Sequence, residues 1–104
     1  MIAAGQTAAC FVAGMLAANA VPHFVKGICG DRVPTPFAKP SGKGLSSPTV
    51  NAVWGIFNFA LAVWLADVGA LWSGEAICRW VAAAGATALA LSMSKHFSTK
   101  HRDV

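Results

Sequence analysis

The chain has 104 residues, of which 56% are apolar and 12% charged, about half the charged share usual for a soluble domain. That length allows one domain at most and is small for a self-sufficient water-soluble core. The formal net charge of +4 does not point to nucleic acid: the basic residues flank apolar stretches instead of lining a helix face or alternating with exposed aromatics, a placement that suits anionic lipid headgroups.

No Lys, Arg, Asp or Glu occurs between Met1 and Val25. A water-soluble helix of that length would have nothing to show the solvent, so residues 2–21 are read as a first membrane span. Ala18-Asn19-Ala20 has the A-x-A form of a signal-peptide cleavage site. The basic n-region is missing, however, and the apolar stretch is too long for an h-region, so the helix is expected to be retained. Gly5, Ala9, Ala13 and Ala17 form a ladder of small side chains, the pattern that lets helix backbones approach closely in lipid. Pro22 is expected to end or kink this helix, because the residue before a proline avoids the α region.

Residues 22–47 then read as a basic, Pro/Gly-rich connection, with Phe24, Val25, Ile28 and Phe37 apolar enough for it to lie along a bilayer surface. Its segment Phe37 to Gly44 has glycine and lysine but lacks the first Gly and the final Ser or Thr of a phosphate loop. Lys39 and Lys43 are candidate contacts to a lipid headgroup. Ser47-Pro48 supplies a capping oxygen and a proline at the first helical position, marking the start of the next helix.

The second span, residues 48–67, has two unlike faces. Trp54, Phe57, Leu61, Trp64 and Val68 recur at helical spacing, and so do the small or amide-bearing Asn51, Gly55, Asn58, Ala62 and Ala66. Large apolar residues set against small ones describe a helix with one lipid face and one helix-packing face. A short turn carrying Asp67 and Glu75 follows, bracketed by Trp72 and Trp80 as interfacial aromatics are. The third span, residues 76–94, has its own small ladder, Ala82, Ala86 and Ala90. Arg79, one turn in, is placed to snorkel outward or to pair with Asp67. Residues 95–104 form a basic tail.

The expected fold is therefore an all-α membrane protein with three transmembrane helices in one domain, residues 1–104. Seven of the eight basic residues lie in the connection and the tail, and three spans put both on one side. The positive-inside rule then places the N-terminus outside and the C-terminus in the cytoplasm of a bacterial cytoplasmic (inner) membrane.

Polar groups gather toward the basic end. Asn19, His23, Asn51 and Asn58 are read as a candidate cluster, joined by Ser92, Ser94 and His96 from the third span, since polar side chains in lipid face one another. Interhelical hydrogen bonding explains such a cluster, and a small pocket with His23 as a ligand contact or proton carrier is the functional alternative. The three cysteines, Cys10, Cys29 and Cys78, show no metal spacing and are read as reduced. No metal or cofactor is expected, and no catalytic motif occurs.

The residues Asn19-Ala20-Val21-Pro22-His23-Phe24, followed by Trp54-Gly55-Ile56-Phe57-Asn58, resemble small bacterial integral membrane proteins of unassigned function with an Asn-x-x-Pro-His-Phe motif. That resemblance implies no activity. The expected role is structural or accessory, the small-residue faces packing against further copies or a larger membrane complex, with membrane lipid as a partner. An oligomeric transporter or channel is the alternative, and a lipid- or quinone-binding membrane enzyme a further one.

Overall fold

The computed structural model describes residues 4–98, and the tail residues Lys100, Arg102 and Asp103 lie outside them. Three helices follow one another: α1 (Ala4–Ile28), α2 (Pro48–Val68) and α3 (Ala76–Phe97). Each is long and apolar enough to cross a membrane. At 1.5 Å per residue the shortest, α2, is about 31 Å long, which matches a bilayer's hydrocarbon thickness.

α1 is the centre of the bundle. It packs on both α2 and α3, while α2 and α3 do not pack on each other. The small residues explain how. A methyl group on Gly14 would overlap the Ala82 carbonyl, and one on Gly85 would overlap the Phe11 carbonyl, so α1 and α3 touch backbone to backbone there. On the other side, Gly55 sits against the backbone of Phe24, and Gly27 against that of Ala52 and Pro48. Of the small residues in the ladders, Ala9, Ala13 and Ala62 are buried and Ala82 and Ala86 are partly covered, but Gly5 and Ala90 are exposed. Nothing lies within reach of a side chain built on Gly5. Both drop out of the packing ladders because the helices contact along a shorter seam than the repeats suggest. The outward faces carry Phe57, Phe59, Val63 and Trp64, the surface expected of helices solvated by lipid tails.

α1 does not end at Pro22 but runs through it to Ile28. The proline removes one donor, which leaves the Ala18 carbonyl without its usual partner and opposes the helix by about 3 kcal/mol in water. The turns beyond it are held by burial of His23 and Gly27 against α2. The real stop is at Gly30, whose φ of +80° suits glycine. Asp31 N–H bonds to the Lys26 carbonyl at 2.8 Å and Gly30 N–H to that of Gly27 at 3.2 Å, the paired bonds of a Schellman termination. The connection is accordingly shorter than residues 22–47.

α2 begins as expected: Val50 N–H donates to Ser47 Oγ at 3.1 Å, with Pro48 in the first turn. It ends in a second Schellman pair, Leu71 to Ala66 and Ala70 to Asp67, with Ala70 at a φ of +52°. The neighbouring Gly69 serves another purpose. A methyl on it would lie 2.7 Å from Cys10 Sγ.

Cys10 and Cys78 are joined in a disulfide across 68 residues, which corrects the expectation of three reduced thiols. Their distance in sequence concealed it. α1 and α3 both begin at this end of the bundle, which sets Cys10 in the second turn of α1 beside Cys78 in the first turn of α3, and the Gly69 carbonyl lies 3.4 and 3.2 Å from the two sulfurs. Cys29 is free and exposed at the opposite end.

Candidate functional site

The basic end holds the only concentration of buried polar side chains among the described residues: His23, Thr35, Ser46, Asn51 and Asn58. Two interhelical pairs organise it. His23 Nδ1 lies 2.8 Å from Asn51 Oδ1, and Asn19 Nδ2 donates to Asn58 Oδ1 at 2.9 Å. The four residues singled out in the sequence are thus brought together in pairs, α1 to α2.

Both pairs are oriented from the backbone. Asn51 Nδ2 faces the carbonyls of Val33, Ser46 and Ser47 at 3.0, 3.2 and 3.1 Å, so its Oδ1 must point at the ring. The facing nitrogen of His23 is therefore the donor, which fixes the tautomer. In the second pair, Asn58 Nδ2 donates to the Trp54 carbonyl at 2.7 Å, leaving its Oδ1 to accept from Asn19. Each α2 asparagine is anchored through its amino group and presents its oxygen to a donor on α1.

The connection closes this end. Instead of lying flat along a surface it folds back, burying Val33, Thr35, Ala38 and Ser46. The Thr35 and Ser46 hydroxyls bond to each other, Ser46 N–H bonds to the Val33 carbonyl at 3.2 Å, and Phe37 N–H to Thr35 Oγ1 at 3.1 Å. Phe37 then meets Trp54 edge to face, ring centroids 5.1 Å apart. Thr35 and Ser46 were not anticipated. Their hydroxyls look like ordinary loop polarity in sequence, and only the return of the chain onto Asn51 buries them.

α3 completes the site in part. Phe97 meets the His23 ring edge to face at 5.9 Å, and His96 Nε2 lies 2.6 Å from the Gly42 carbonyl, so His96 holds the connection and not the buried histidine. Ser94 is exposed. Between α1, the connection and the end of α3 lies a cavity of about 280 Å³, lined by His23, Asn19, Thr35, Trp54, Ser92 and Phe97 among others. Lys39 and Lys43 are exposed on the connection.

At the other end, Arg79 donates to the Leu71 carbonyl at 3.0 Å and makes no ion pair with Asp67, because the turn offers an acceptor closer to hand. Gln6 Nε2 donates to the Gly69 carbonyl at 2.9 Å. No group of three or more His, Cys, Asp or Glu that could hold a metal occurs among the described residues.

No protein-family model, curated protein or solved structure matches the chain.

Proposed function

We propose that the protein is a multi-pass component of a bacterial cytoplasmic membrane with a structural or accessory role, packing against further copies of itself or a larger membrane complex. The observation that carries this is the open side of α1. Because α2 and α3 do not pack on each other, a groove of about 390 Å³ remains between them, floored by Ala13, Gly14 and Ala17 and walled by Ala62, Ala66, Ala82, Ala83 and Ala86. Small residues invite close approach of another helix. α3 is also the least covered helix, burying only Cys78 and Gly85.

The orientation rests on two independent features. Among the described residues the connection end carries Lys26, Arg32, Lys39, Lys43 and Lys95 against Asp31, whereas the other end carries Arg79 against Asp67 and Glu75. The positive-inside rule puts the first of these in the cytoplasm. The disulfide lies at the second, and disulfides persist on the oxidising side of such a membrane. The free Cys29 lies at the basic, reducing end.

Native mass spectrometry from mild detergent tests the role. The expected result is a discrete homo-oligomer or a stoichiometric foreign subunit, disrupted when Ala83→Trp fills the groove. A monomer unaffected by that substitution would contradict it.

A further inference from the structure

We propose that the cavity beside His23 binds the headgroup of a membrane amphiphile that donates hydrogen bonds through hydroxyl groups. The argument starts from the hydrogen-bond directions. With Nδ1–H given to Asn51, the neutral His23 ring is left with Nε2 as an acceptor. No group among the described residues bonds that atom, although the residue is only 2% exposed. It is also not sealed away, since no wholly buried side-chain nitrogen or oxygen among the described residues lacks a partner. The little surface that His23 retains therefore includes Nε2, and His23 is one of the residues that line this cavity.

Asn19 repeats the pattern. Its Nδ2 is committed to Asn58, and no group among the described residues donates to its Oδ1. Asn19 and His23 lie one turn apart on α1, about 6 Å along the helix, and both line this cavity, so each brings an uncommitted acceptor to it. Among the described residues no Lys, Arg, Asp or Glu lines it; Ser92 and His96 stand at its α3 wall, and Trp54, Met93 and Phe97 make the rest largely apolar. Two acceptors in an apolar setting select a neutral ligand bearing hydroxyl donors. At the α1 wall an anion would meet lone pairs, and a ketone would bring no proton. The volume suits a single ring or a glycerol unit more than a whole drug-sized molecule. A hydroquinone with an alkyl tail and a glycerol-headed lipid share this chemistry, and flat aromatic walls accept either.

The test uses the full chain in phosphatidylcholine nanodiscs with ¹⁵N-labelled histidine. It is titrated with a short-chain alkyl hydroquinone kept reduced, with the corresponding quinone, and with a short-chain monoacylglycerol. The His23 Nε2 resonance should move saturably with at least one of the two hydroxyl donors, and the tighter one identifies the source. The quinone should bind at least about tenfold more weakly, having lost the donated bonds. Ser92→Trp fills the cavity from α3 and leaves both α1–α2 pairs intact, so it should abolish the shift without altering the Nδ1–H signal. No saturable shift with either donor, a quinone that binds as tightly, or unchanged binding in the Ser92→Trp protein would each overturn the proposal.

Discussion

Asn51, wholly buried on α2, accepts a hydrogen bond from His23 on α1 while its amino group faces three backbone carbonyls of the connection. One side chain thereby ties two helices and the returning chain into a single unit. Asn51→Leu should leave the His23 Nδ1–H and the Ser46 carbonyl without a partner and the Val33 carbonyl with Ser46 N–H alone, at about 2–3 kcal/mol. His23→Phe alone loses one bond and strands the Asn51 oxygen. The double variant should recover part of the loss, because both stranded groups are gone. Unfolding in mixed micelles for the four proteins of this cycle measures the coupling, and strict additivity would show that the bond contributes nothing.

How much of this could be seen beforehand depended on range. The spans were legible because apolar length and composition are local. The cap at Ser47 was legible because Ser-Pro before an apolar run is a local signal. The Asn and His residues stood out because amides inside an apolar stretch have to find partners. The end of α1 is not legible from Pro22, because packing on α2 outweighs the local preference of proline, and the glycine that does stop the helix sits eight residues later. Cys10 and Cys78 were missed because their adjacency follows from α1 and α3 starting at the same end, which spacing alone does not reveal.

The cysteines make a direct prediction. Denatured without reductant, the protein should take up one maleimide, at Cys29, and three after reduction. Since α3 is held to α1 by a narrow seam, Cys78→Ser should also loosen it. The stabilisation lost is bounded above by about 4 kcal/mol for a flexible loop of this length, and is smaller in a bilayer, where the helices stay inserted. Uptake of three labels without reduction would remove the bond and the orientation argument built on it.

The turn after α2 uses its two small residues in an unexpected order. Gly69 has an ordinary φ of −80° and is needed for the space that the Cys10 sulfur occupies, whereas Ala70 holds the left-handed position at +52°. Left-handed backbone disfavours alanine by about 1–2 kcal/mol, part of which glycine would return as unfolded-state entropy. Ala70→Gly should therefore stabilise the protein by about 0.5–1 kcal/mol. Gly69→Ala should destabilise it, since its methyl would meet the Cys10 sulfur. If both substitutions shift thermal unfolding in the same direction, this account of the turn is wrong.

The seam between α1 and α3 gives the sharpest contrast, because two glycines on the same helix are predicted to behave oppositely. Gly14 lies under the Ala82 carbonyl, and a methyl there has nowhere to go except by pushing α3 away. The neighbour is backbone, so no rotamer change relieves the overlap, and Gly14→Ala should cost about 1–3 kcal/mol as an overpacked site does. Gly5, on the same helix, has open space around it, so Gly5→Ala should be neutral or stabilising by up to about 1 kcal/mol through helix propensity. With the disulfide intact, the separation of α3 at Gly14 should appear as faster hydrogen exchange in the middle of α3 and little change in α2, which rests on a different face of α1. Exchange in α2 that rose as much as in α3 would mean that the two outer helices are coupled after all, and that the groove between them is closed.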